Sequence, residues 1–156
     1  DAFPVSTLYS ETTINNNWIG AEWLQISCGE LRLWKIQYLE DEEKTSLIFD
    51  QGLLECWYPM KVGERKETEA GAIIPRYDRK NLNAHLSVEV LSKEDVVLDF
   101  GTVEAFKLRT ILSVSGYQFS MYTSQNNWFV PNLGIIKNEG DNFIFHKILC
   151  SFLYFF

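Results

Sequence analysis

Along most of the chain apolar and polar residues alternate with a period of two, the spacing that puts every second side chain on one face of an extended strand. Trp18 to Ile26 follows this pattern up to a Cys28-Gly29-Glu30 turn. Leu31 to Leu39 then places Leu31, Leu33 and Leu39 on one face with Lys35 and Gln37, and Trp34, Ile36 and Tyr38 on the other. Both faces are therefore partly apolar. Glu40 to Lys44 reads as a charged hairpin loop, Thr45 to Phe49 as a strand and Asp50-Gln51-Gly52 as a break. Leu53 to Tyr58 resumes a strand that Pro59 ends.

Met60 to Ala70 reads as a loop followed by a polar strand, and Pro75 to Asn83 as a basic, polar connection. Leu86 to Val90 alternates cleanly, and Ser92-Lys93-Glu94-Asp95 fits a turn or a helix N-terminus. Further strands are expected over Val96–Phe100, Ala105–Val114, Tyr117–Thr123, Asn127–Val130, Gly134–Asn138 and Phe143–Phe152. Ser115-Gly116 and Glu139-Gly140-Asp141-Asn142 carry hairpin-turn chemistry. No segment holds a helical period for more than two turns, and strands follow one another through short turns, so the sheet should be mostly antiparallel. The pattern predicts one all-β domain over residues 1–156, a twisted sheet of about ten strands curling into a half-barrel or open barrel, with a two-sheet β-sandwich as the alternative.

Composition narrows the function classes. The 156 residues are 46% hydrophobic and 22% charged, enough to build a core without metal or disulfide. A net charge of −7 repels nucleic acid and anionic headgroups, which argues against either as a partner. The most apolar stretch, Phe143 to Phe156, is broken by His146 and Lys147. It is shorter than the about 20 residues of a membrane-spanning helix, and it reads as a buried C-terminal strand. Asp1-Ala2-Phe3-Pro4 has neither the basic nor the apolar region of a signal peptide, although a leader removed before Asp1 would leave the same start. Of the three cysteines, Cys28 and Cys56 could bridge neighbouring strands in an exported protein, and buried free thiols are the alternative; Cys150 leaves the count odd.

No constellation points to catalysis or to a metal. Asp99-Phe100-Gly101 spells a kinase magnesium motif, but the glycine-rich phosphate loop and the His-Arg-Asp motif are missing. His146 and Cys150 on a strand lie about 13 Å apart, too far for one zinc, and His85 has no partner near it in sequence. Asp41-Glu42-Glu43 lacks the spacing of a calcium loop. There is no Gly-x-Ser-x-Gly elbow, and carboxylate pairs for glycoside hydrolysis can be drawn in too many ways to discriminate. Neither an enzyme nor a cofactor is expected. The candidate ligand-binding residues are Trp34, Trp57 and Trp128, taken from the five tryptophans as a stacking platform or the wall of an apolar cavity; sheet packing is the competing role for each.

Three segments carry a resemblance. Gly52 to Gly63 contains Trp57-Tyr58-Pro59-Met60-Lys61-Val62-Gly63, and Glu94 to Leu108 contains Phe100-Gly101-Thr102-Val103. Asn127 to Glu139 contains Trp128-Phe129-Val130-Pro131-Asn132-Leu133-Gly134-Ile135-Ile136-Lys137. In this order they resemble the Pro-Leu-Lys-Val-Gly, Ala-Gly-Thr-Phe and Trp-Tyr-Ala-Pro-Gly-Val-Gly-Leu-Val-Lys segments of an exported bacterial lipoprotein-type β-domain of unknown function. Arg65-Lys66 replaces that family's aromatic after Val-Gly, and Phe100 stands where a small residue precedes its glycine. The resemblance implies a twisted antiparallel sheet, a periplasmic or cell-surface location with either a lipobox-bearing leader, which gives a lipid anchor, or an ordinary signal peptide upstream of residue 1, and no catalytic residue. The function expected is a non-catalytic binding module for an apolar ligand or a partner's apolar segment. The alternatives are a structural or interaction domain of the cell envelope, its second sheet face covered by Phe143–Phe156, and, more remotely, a hydrolase with an unrecognised site.

Overall fold

The computed structural model describes residues 7–14, 17–131 and 133–141. They form nine strands, β1 (Thr7–Ile14), β2 (Asn17–Ser27), β3 (Glu30–Glu40), β4 (Glu43–Trp57), β5 (Arg65–Ile74), β6 (Arg79–Leu98), β7 (Gly101–Gly116), β8 (Phe119–Val130) and β9 (Gly134–Asp141). A single 3₁₀ turn, Pro75–Tyr77, separates β5 from β6. Each strand pairs antiparallel with the next in one sheet of order β1 to β9, and the sheet curls into an open half-barrel. This is the half-barrel expected from the alternation; the two-sheet sandwich is not formed. The strand expected over Phe143–Phe152 lies outside the described residues.

The core lines the concave face. Alternation places Ala70, Ala84, Val114 and Met121 in one row across β5 to β8. The next row is Thr68, Leu86, Leu112 and Thr123, and the one after it Val88, Thr110, Gln125 and Gly140. On the other wall, Glu22 lies opposite Ile36 and Ile36 opposite Leu47. A register shift between Leu33 and Lys35 reverses the side-chain parity of β3, so Leu31, Leu33 and Ile36 are all buried. The alternation had put Ile36 on the face opposite Leu31 and Leu33, and the bulge is the reason it is not there.

Several turns fall away from their expected positions. Thr45–Phe49 and Leu53–Trp57 belong to one 15-residue strand, although the intervening Asp50-Gln51-Gly52 have no partner on β3, whose ladder steps from Ile48 to Leu53; Tyr58 lies just beyond the strand. Ser92–Asp95 is strand interior, with Glu94 opposite Ala105. Ser115-Gly116 ends β7, and the chain reverses at Tyr117-Gln118, where Gln118 has φ 52°. Glu139–Asp141 are strand residues, held by pairing with β8. The Phe100-Gly101 turn falls where expected, with Gly101 at φ 138°, a conformation that costs glycine little.

Two irregularities shape the sheet. The β4–β5 ladder holds at only two pairs, Ile48 with Ile73 and Phe49 with Ala72. Beyond them side chains replace the ladder: Gln51 Nε2 donates to the Glu69 carbonyl at 2.7 Å, and the Leu54 amide donates to Thr68 Oγ1 at 3.0 Å. The second is the β6–β7 hairpin, which outruns both neighbours. From Lys93 to Ala105 its two strands pair only with each other among the described residues, leaving Val97 and Phe100 at its apex 80% and 69% exposed.

Candidate functional site

The concavity of the half-barrel is a cleft of about 680 Å³. Its apolar lining comes from Leu33, Ile36, Leu47, Leu86, Leu112, Phe119 and Met121, contributed by β3, β4, β6, β7 and β8. These strands converge because most of their inward positions are apolar, so curling the sheet removes that face from water. The volume lies within the about 300–1,000 Å³ typical of small-molecule sites.

Two polar regions interrupt the apolar wall. Toward the β9 edge, Thr110, Gln125 and Asn138 line the cleft, and Asn127, fully buried, links them. Asn127 Nδ2 donates to Thr110 Oγ1 at 3.1 Å, while Asn138 Nδ2 donates to Asn127 Oδ1 at 2.5 Å and to Gln125 Oε1 at 2.9 Å. The network follows from register, since Leu108 faces Asn127 and Asn127 faces Asn138 across the ladders. On β2, β3 and β4, Glu22, Glu40 and Glu55 line the cleft, Glu22 and Glu55 being only 7% and 4% exposed. The wall there also holds Tyr38, whose hydroxyl is pushed above its ordinary pKa chiefly by burial and then by the Glu40 charge.

The three candidate tryptophans lie apart from this cleft, and none lines it. Trp34 is half-buried, its indole Nε1 donating to Gln25 Oε1 at 3.1 Å. Gly52 packs so closely on that indole that a Cβ there would sit 2.8 Å from Nε1. Trp57 is buried, its Nε1 donating to Glu64 Oε2 at 3.1 Å, with Lys66 Nζ 4.7 Å from the ring centroid. Trp128 repeats the device: its Nε1 donates to Glu94 Oε1 at 2.6 Å, and Lys107 and Lys137 stand 4.9 and 4.3 Å from its ring. Cation–π contacts and a carboxylate acceptor satisfy both rings.

Cleft residues such as Glu22 and Glu55, and the buried Asn127 behind the wall, carry no sequence signal beyond a polar residue at an inward strand position. His85 Nε2 lies 3.6 Å from Glu67 Oε2 beside β5, and His146 and Cys150 fall outside the described residues. Cys28 and Cys56 are both free; Cys28, in the β2–β3 turn, is exposed and Cys56 is buried. Among the described residues no group of three or more His, Cys, Asp or Glu could hold a metal ion, and no helix is long and apolar enough to cross a membrane. The chain matches no family model, no curated protein and no solved structure.

Proposed function

We propose that the domain is a non-catalytic binding module whose concave face takes an apolar ligand or a partner's apolar segment. The observation that carries this reading is the cleft of about 680 Å³ with leucine, isoleucine, phenylalanine and methionine on its wall and hydrogen-bonding groups at its two sides. Such a lining favours apolar mass in its centre and orients it by a few polar contacts. The proposed compartment is the periplasm or cell surface, on the resemblance of Trp57–Gly63, Phe100–Val103 and Trp128–Lys137 to exported lipoprotein-type segments. A leader or lipobox encoded upstream of Asp1 would support it; a start codon immediately before Asp1 would count against it.

Titration with phenylnaphthylamine, a dye that brightens in apolar surroundings, tests the binding reading. Saturable binding at one site, competed by dodecanol, is expected; fluorescence that rises without saturating would refute it. An interaction domain of the envelope with no small-molecule ligand is the second reading. It draws on the β6–β7 apex, where Val97 and Phe100 stand in water without an obvious structural need.

A further inference from the structure

Resting on the binding reading above, we infer that the cleft selects an apolar chain bearing a protonated amine over one bearing a carboxylate. Glu22, Glu40 and Glu55 line the cleft, and no lysine or arginine among the described residues does. Two nearby lysines are stacked on tryptophans, and Arg76 lies at the Glu40 end of the cleft, away from Glu22 and Glu55 in the ladders. Lys35 Nζ sits 4.0 Å from the Trp23 ring centroid, one position out of phase with Glu22 and Ile36, and Lys44 Nζ sits 4.2 Å from the Trp18 ring. Arg76 donates to the Glu40 carbonyl and Thr45 Oγ1, and lies 3.1 Å from Glu43.

Glu22 and Glu55 are set among apolar groups, where the effective dielectric is low and a charge of opposite sign is felt more strongly than in water. Both also have partners within the fold, so the inference rests on the sign of the lining and not on an unsatisfied group. A ligand ammonium would lie on the β2 and β4 side, with its hydrocarbon along Ile36, Leu47 and Leu86. A carboxylate there would be repelled. The Thr110–Asn127–Asn138 network is neutral and does not reverse that preference.

Calorimetric titration with dodecylamine, dodecanol and dodecanoate, each below its micelle concentration, separates the possibilities. It is run near neutral pH at about 0.15 M salt, where charges more than about 8 Å from a ligand in solvent are largely screened. Dodecylamine should bind about tenfold tighter than dodecanol, and dodecanoate weaker than both. The double substitution Glu22→Gln with Glu55→Gln should bring the amine to the affinity of the alcohol, leaving the alcohol unchanged. Asp95→Asn with Glu104→Gln, on the exposed ribbon, should alter none of the three. Dodecanoate binding as well as dodecylamine, or an amine preference that survives the Glu22/Glu55 double substitution, overturns the inference while the binding module stands. Failure of all three probes to bind overturns both. If the Glu22/Glu55 variant does not fold, the order of the three probes on the unmodified chain decides.

Discussion

The Asp50 carboxylate occupies the space that a side chain at position 71 would fill, and its Oδ1 accepts the Gly71 amide hydrogen at 2.9 Å. β4 and β5 diverge beyond Phe49, and this contact substitutes for the ladder bond that divergence removes. The glycine is required by the carboxylate and not by its own backbone angles.

A sign reversal follows. Asp50→Ala should cost about 1 kcal/mol by removing one exposed hydrogen bond. Gly71→Ala in the native chain should cost a similar amount, because the new methyl displaces the carboxylate. In the Asp50→Ala background, Gly71→Ala should be neutral or stabilising by about 0.5 kcal/mol, since alanine loses less backbone entropy on folding than glycine. Urea midpoints of the four proteins complete the cycle; additive effects would show the two positions to be uncoupled.

The buried amide of Asn127 is the keystone of the neutral side of the cleft. Asn127→Leu preserves volume but strands Thr110 Oγ1 and leaves the Asn138 amide only its Gln125 acceptor, so it should destabilise by about 1–2 kcal/mol. Thr110→Val in that background should restore part of the loss by removing one stranded hydroxyl. Thermal melts of the single and double variants test this, and an Asn127→Leu protein as stable as the native chain would remove the network from the account.

Met121, half-buried on the wall, offers a way to fill the cleft without touching a polar group. Met121→Trp should lower phenylnaphthylamine affinity at least about tenfold with little change in melting temperature, because the added ring occupies empty volume and not packed core. Undiminished dye binding would place the dye elsewhere on the surface.

The fold was legible because half-burial writes itself as alternation, and eight antiparallel ladders need little more than that plus turn residues. The errors have local physical causes. Alternation alone assigns Ile36 to the wrong face because a bulge at Leu33–Lys35 changes parity without any glycine or proline on β3 to announce it. Ser92–Asp95 and Ser115-Gly116 have turn composition, yet long-range pairing with β7 and β8 carries the strands through them. The cleft was less legible. Tryptophans drew attention by their size, but Trp57 and Trp128 are satisfied by one glutamate and adjacent lysines, while the groups that give the cleft its polarity are an ordinary asparagine and glutamates set at inward strand positions.

The cysteines should differ sharply in reactivity. In a Cys150→Ser background, the exposed Cys28 should react with an aromatic disulfide reagent in the native state, and the buried Cys56 only on unfolding. Cys28→Ser should abolish the fast phase. Two thiols titrating together in native buffer would contradict the burial of Cys56.

The paired tryptophan–glutamate contacts set a pH dependence whose sign is fixed. Glu64 is held below the ordinary glutamate range first by the Trp57 indole N–H and then by the Lys61 amide, and Glu94 first by the Trp128 indole and then by the Ser92 hydroxyl. A carboxylate with a folded-state pKa below its unfolded one binds fewer protons when folded, so acid favours unfolding. The stability these contacts contribute is therefore fully present above the ordinary glutamate value of 4.5 and is lost as the pH falls through the depressed ones. Glu64→Gln and Glu94→Gln should each lower the urea midpoint near neutral pH, and the gap from the native chain should close on acidification, as the native carboxylate takes up its proton. The indole N–H resonances of Trp57 and Trp128 should titrate over the same acid range. A gap that stays constant with pH, with indole resonances that do not move, would show that the carboxylate charge contributes nothing to either contact.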